Sequence, residues 1–241
     1  MNYTVIIQAR MGSTRLPGKV LMPLGDTNIL DYVVSRCRRI QKVDQVIVAT
    51  SILNQDNEIE KWCALNNVSC FRGSEEDVLA RYYECAKKYQ ADYILRVTSD
   101  CPFVDYDLAD MMIEAMIANP SEILLYEEGL PRGLAVEIIS FAALEKVYTI
   151  GKESRHREHV TYYAYENIKS FTHVSFKLSQ HLKQPQLRIT LDTPEDYLVC
   201  QAIAKEFVNN KIVSSSEVVE FLLRSPEITR INAHIEQKSV I

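Results

Sequence analysis

The chain has 241 residues, 47% hydrophobic and 24% charged, with 27 Lys and Arg against 32 Asp and Glu for a net charge of −5. That length can bury a sizeable core, and only 7 glycines and 8 prolines argue against long disordered tracts. The acidic balance excludes a general attraction to nucleic acid or to an anionic membrane surface.

In chain order, apolar β-branched runs alternate with helical periods. YTVIIQA (3–9) reads as a buried strand, and NILDYVVSRCRRI (28–40) as a helix with Ile29, Tyr32, Val33 and Cys37 on one face. DQVIVAT (44–50) is the next strand, NEIEKWCALNN (57–67) the next helix and VSCFRG (68–73) a short third strand. DVLARYYECAKKY (77–89) is helical, and ADYILRVTSD (91–100) is again a strand. This spacing predicts βαβ crossovers and a three-layer α/β fold, a mostly parallel twisted sheet with helices on both faces. The rhythm continues through a helix at 107–120 and a strand at 121–126, then loosens. A turn leads into a strand over 129–140, REHVTYYAYEN (157–167) reads as a helix, and FTHVSFKLS (171–179) and QLRITLD (186–192) alternate as half-exposed strands. A small mixed or antiparallel extension is therefore expected at about 125–190, within a single domain of 1–241. Helices close the chain at 194–208 and 215–225, with Pro194 suited to a first turn and Ser214 to Ser216 offering N-caps.

The six cysteines form no CxxC pair and sit mostly in apolar patterns, as expected in a reducing cytoplasm. MNYTVIIQAR lacks a basic leader before a long apolar core, and no apolar run approaches the ~20 residues that cross a bilayer, so neither secretion nor membrane spanning is expected.

Ligands of open α/β sheets bind beyond the carboxyl ends of the strands. Two stretches fall there. The first, ARMGSTRLPGK (9–19), sets Arg10, Arg15 and Lys19 on a loop where Gly12 and Gly18 permit close backbone approach, a pattern suited to polyphosphate. It is neither GxxxxGK[ST] nor GxGxxG. The second is RVTSDCPFVD (96–105), with Asp100 directly after an apolar strand; Asp192 in LRITLDTPEDY has the same context. Each carboxylate could cap the helix that follows, or the two together could hold Mg²⁺ on a polyphosphate.

The ordered blocks IIQARMGSTRLPGKVL, VIVATS, FRGSEEDVLARYYECAKKY, RVTSDCPFVD, PRGLAVEIISFAALEKV, REHVTYY and LDTPEDY resemble the cytidylyltransferases that make CMP-activated acidic sugars. Within them the chain looks most like the branch named after a spore coat polysaccharide biosynthesis protein. The resemblance runs to at least about residue 205. It implies a GT-A-like nucleotidyltransferase using CTP and Mg²⁺, usually homodimeric, and acting in surface polysaccharide biosynthesis. On matching positions it assigns Arg10, Ser13, Arg15 and Lys19 to the CTP phosphates and Asp100 and Asp192 to the metal. Arg15, Lys19 and Asp100 are thereby the expected catalytic set. One departure bears on the substrate: the CMP-ketodeoxyoctonate synthetases carry Gln-Gly before the metal Asp, whereas Thr98 and Ser99 stand here.

For the acceptor, Arg132, Arg155 and Arg157 are the candidates to receive a carboxylate, and Glu137 and His159 to bond hydroxyls; all could equally be ordinary surface charges. His156 and His159 are three apart, but no further ligand completes a metal site. Arg81 is expected to pair with Asp77 on a helix surface. The tyrosines 82, 83, 162, 163 and 165 are expected in core or interface, and Tyr162, Tyr163, Phe171 and Val174 to form a homodimer face. The rival functions are a nucleotide-sugar-dependent glycosyltransferase, a transferase using another nucleoside triphosphate, and a non-catalytic nucleotide-binding protein. Ser99-Asp100-Cys101 is not the DxD motif of the first.

Overall fold

A computed structural model describes residues 1–208 and 210–236. In strand β1 (Tyr3–Gln8), Val5 and Ile7 bury into one apolar cluster and Ile6 into another on the opposite face. A strand apolar on both faces needs cover on both, and the chain supplies it with helices.

The elements after β1 are a short hairpin, β2 (Pro23–Leu24) and β3 (Thr27–Asn28), then helix α1 (Ile29–Cys37), β4 (Gln45–Ser51), α2 (Asn57–Leu65), β5 (Ser69–Gly73) and α3 (Val78–Lys88). Next come β6 (Tyr93–Thr98), α4 (Tyr106–Ala118), β7 (Ile123–Tyr126), β8 (Glu137–Ser140) and α5 (Phe141–Ile150). The remainder is α6 (Ser154–Glu158), α7 (Tyr162–Glu166), β9 (His173–Phe176), α8 (Pro194–Glu206), α9 (Ser215–Arg224) and α10 (Pro226–Asn232).

The central sheet has seven strands in the order β5-β4-β1-β6-β8-β7-β9, and β8 runs against its neighbours on both sides. Helices α1, α2 and α4 cover one face, while α3, α5 and α7 cover the other. A third cluster joins the hairpin to α8 and α9 through Leu24, Tyr32, Leu191 and Val199. The chain builds outward from β1 through β4 to β5, then crosses back to place β6 on the other side of β1. That reversal opens a crevice beyond the carboxyl ends of β1 and β6.

The expected α/β sheet and its mixed extension are both present. Three local expectations are corrected. Residues 157–167 are not one helix: α6 and α7 are separated at Val160, a buried residue held at φ 43°. Residues 186–192 form no ladder strand beyond a single bridge between Arg132 and Arg188; Leu187, Ile189 and Leu191 alternate because they enter the third cluster. The anticipated dimer residues are largely used within the chain, Phe171 being buried and Tyr163 and Val174 packing on the two faces of the sheet.

Candidate active site

The crevice is a cleft of about 480 Å³ lined by Arg10, Ser13, Thr14, Arg15 and Lys19 from the opening loop, by Thr98 to Cys101 at the end of β6, and by Asp192. The loop is anchored from below by Asp56, whose carboxylate accepts from the Met11 amide at 2.7 Å. Met11 in turn accepts from the amides of Ser13 and Gly18, at 2.9 and 3.0 Å. Gly18, at φ 70°, supplies the left-handed turn that sends Lys19 inward. Gly12 does not line the cleft and lies against Gln55 and Glu75.

Asp100 and Asp192 come from distant segments joined by the backbone, since the Asp100 carbonyl accepts from the Leu191 amide at 2.7 Å. Lys19 completes the junction: its Nζ lies 3.2 Å from Asp100 Oδ2, 3.0 Å from Asp192 Oδ1 and 2.6 Å from the Leu191 carbonyl. Arg15 reaches the same Asp192 oxygen at 3.0 Å. Burial disfavours the charged form of both Lys19 and Asp100, but their mutual attraction outweighs it, raising the lysine pKa and lowering that of the carboxyl. The Thr98 hydroxyl donates to Asp100 Oδ1, so this threonine orients the carboxylate.

Neither carboxylate caps a helix. Asp105 caps α4, accepting from the Leu108 amide, and Thr193 caps α8 in a reciprocal box with Asp196, with Pro194 in the first turn. Asp196, fully buried, also takes the Arg188 Nε at 2.8 Å, and Arg188 Nη2 reaches Asp192 Oδ2 at 3.1 Å. The LDTPED run thus builds a hydrogen-bonded frame that sets Asp192 in the cleft.

The cleft is also lined by Arg96, Arg132, Glu137 and His159. Arg132 is set there by Gly133, at φ 104°, where an added Cβ would stand 2.6 Å from the Thr190 amide nitrogen. Only a glycine lets that loop lie on the Ile189–Thr190 backbone. Arg96 and Glu137 face each other across β6 and β8 and pair at 2.9 Å, while the Thr161 hydroxyl donates to the same Glu137 oxygen. Burial pushes the His159 imidazole below its usual pKa.

The structure relocates four other residues. Arg157 is outside the cleft: it pairs with Asp77 and donates to the Tyr148 carbonyl at 3.0 Å. Arg155 pairs with Glu153 and Glu166, and His156, buried, meets Glu166 at 2.8 Å. Arg81 is not on a helix surface; it is 1% exposed, lines the cleft and donates to the Ser74 carbonyl. Asp77 is therefore the partner of Arg157. Arg96 was findable in the sequence as a charge in the middle of an apolar strand, whereas the burial of Arg81 had no comparable signal.

A doubly covered, mostly parallel sheet with a cationic loop and paired carboxylates at its crossover is the architecture of a nucleotidyltransferase. Residues 4–238 match the model of the family described as cytidylyltransferase. The chain is 39% identical over 228 residues to the spore coat polysaccharide biosynthesis protein SpsF of Bacillus subtilis, covering 92% of this chain and 94% of that one. It is also 39% identical over 241 residues to the uncharacterized protein MJ1063 of Methanocaldococcus jannaschii, covering 99% and 98%. A solved cytidylyltransferase from Leptospira borgpetersenii superposes with a TM-score of 0.90 at 33% identity, over 99% of this chain and 100% of that one. The chain belongs to the cytidylyltransferase family and is a CTP-dependent nucleotidyltransferase.

Proposed function

We propose that the protein transfers CMP from CTP to the anomeric hydroxyl of a 2-keto sugar acid or a related acidic sugar, releasing pyrophosphate, for surface polysaccharide biosynthesis. The carrying observation is the Lys19 junction, which gathers Asp100, Asp192 and Arg15 at one point of the cleft. Similarity to the spore coat polysaccharide biosynthesis protein supports the biosynthetic setting.

The residues fit a divalent cation of the Mg²⁺ type. Two hard carboxylates converge on one cation, the Lys19 ammonium, which supports their converging on a divalent ion as well. Among the described residues no cluster of three or more His, Cys, Asp or Glu could hold a metal alone, so the triphosphate would contribute the remaining oxygens, as Mg²⁺ commonly requires. Held by Asp100 and Asp192, Mg²⁺ would supply charge neutralisation at the phosphate facing the nucleophile.

The chain's own groups do the rest. Arg10, Ser13, Arg15 and Lys19 would bind and orient the triphosphate, and Arg15 and Lys19 would stabilise the charge on departing pyrophosphate. Arg132, whose side chain is exposed at the cleft wall, would take the acceptor carboxylate, with Glu137 and neutral His159 bonding its hydroxyls. Fixing the two reactants in line is the main requirement of phosphoryl chemistry, and a buried frame that holds Asp192 in place is consistent with that role.

Six free cysteines support a reducing compartment, the cytoplasm, and no helix among the described residues is long and apolar enough to cross a membrane. A homodimer rests on the family resemblance and is tested by sedimentation. The activity is tested by pyrophosphate release from CTP with a panel of sugar acids: CTP-dependent release requiring a sugar acid supports it, and release with neutral sugars alone overturns the acidic acceptor.

A further inference from the structure

Lys19 is placed oddly for a residue that grips a triphosphate. Its side chain is 11% exposed, and its ammonium already meets three oxygens, from Asp100, Leu191 and Asp192. An ammonium has three protons, so no donor is left for a phosphate oxygen. The two carboxylate oxygens it occupies are also the hard ligands a divalent ion would take. Two cations cannot share that point, because like charges within ~4 Å repel strongly wherever water is partly excluded. Arg15 and Arg188 offset charge on Asp192, whereas Asp100 is paired with Lys19.

We propose that Lys19 is a displaceable counter-cation that occupies the metal locus in the nucleotide-free protein. It holds Asp100 and Asp192 together and keeps the divalent ion out until a triphosphate draws the ammonium onto its own oxygens. The metal then enters with the nucleotide and not before it. The displacement step rests on the cytidylyl-transfer reading, while the occupancy rests on the geometry of the free chain. The arrangement has a use: with two carboxylates too few to hold a metal alone, the locus stays neutralised and closed until the ligand that completes it arrives.

The test is Mn²⁺ binding to the nucleotide-free protein, followed by the electron paramagnetic resonance signal of the free ion, in wild type, Lys19→Gln and Lys19→Met. Circular dichroism melts confirm which variants are folded, and Gln keeps hydrogen-bonding capacity should Met perturb the junction. Removing the ammonium should tighten Mn²⁺ binding by about tenfold or more, and Asp100→Asn in the same chain should abolish the gain. Equal Mn²⁺ affinity in wild type and a folded neutral variant overturns the proposal. So does wild-type protein that binds Mn²⁺ at about micromolar affinity without CTP. Parallel CTP titrations separate the two levels: an unchanged CTP affinity in the variants overturns the phosphate role of Lys19, while the Mn²⁺ comparison alone decides whether Lys19 occupies the locus.

Discussion

Replacing Asp100 by Asn separates catalysis from stability at the carboxylate to which the proposed function gives the metal. Asp100 accepts from Lys19 at 3.2 Å and from the Thr98 hydroxyl, and it caps no helix. An amide keeps the shape and one accepting oxygen but loses the charge. Lys19 retains Asp192 and the Leu191 carbonyl, and the Asp100 side chain is 26% exposed to a wet cleft. The lost contact should therefore cost about 1–1.5 kcal/mol, below the ~1.5–3 kcal/mol of a bond to a charged group because the wet cleft screens it. For a chain of this size that lowers Tm by roughly 2–6 °C. The rate should suffer far more. Loss of a metal ligand forfeits several kcal/mol at the transition state, about 10²–10⁴ in kcat. Asp192→Asn should fall into the same range, and the double variant should be little worse than the poorer single one, because two ligands of one ion act as a unit. The assay is kcat against Mg²⁺ concentration beside a thermal melt of each variant. A kcat within about tenfold of wild type in both single variants would refute the metal role of these carboxylates.

Further outcomes follow from the same geometry. Lys19→Ala should weaken CTP binding by roughly 1.5–3 kcal/mol in calorimetry, the range for bonds to a charged group. Arg132→Ala should raise the acceptor KM about tenfold or more while leaving CTP affinity in place, since in the proposed function it takes the acceptor carboxylate and not the triphosphate. Arg157→Ala should lower stability by about 1–2 kcal/mol through loss of its bonds to Asp77 and Tyr148, with kcat retained, as measured by denaturant unfolding beside turnover. Burial of His159 disfavours its charged form in the native state, so stability should be intact above about pH 6.5 and decline as pH falls through and below that value, where the unfolded chain takes up the proton first. Melts of wild type and His159→Gln should converge in their pH dependence above that window and diverge below it.

The fold was legible because its strongest signals are local. Runs such as residues 3–9 and 91–100 are apolar on both strand faces, which only a covered sheet satisfies, and the helices between them have one clear apolar face. The loop cations and Asp100 were legible because strand ends place them at one edge of the sheet, whereas Asp192 follows no ladder strand and is brought there by the Leu191 amide bonded to the Asp100 carbonyl. What stayed hidden depends on long-range packing. Val160 breaks a segment of good helical pattern because its side chain is required in the core, and the strand-like alternation of 186–192 serves a cluster built by α8 and α9. The arginines show the same limit most clearly. Arg132 and Arg157 look alike in sequence, yet one is presented to the cleft by Gly133 and the other is drawn away by Asp77, eighty positions earlier in the chain. Thr98, read only as a departure, turns out to orient Asp100.

Pyrophosphate release measured across the nucleoside triphosphates, each with Mg²⁺ and a panel of sugar acids and neutral sugars, tests the central claim most directly. The proposed function predicts release from CTP that requires both the divalent ion and an acidic sugar. Turnover of another triphosphate with none of CTP, or release from CTP that is indifferent to the carboxylate of the acceptor, would contradict it.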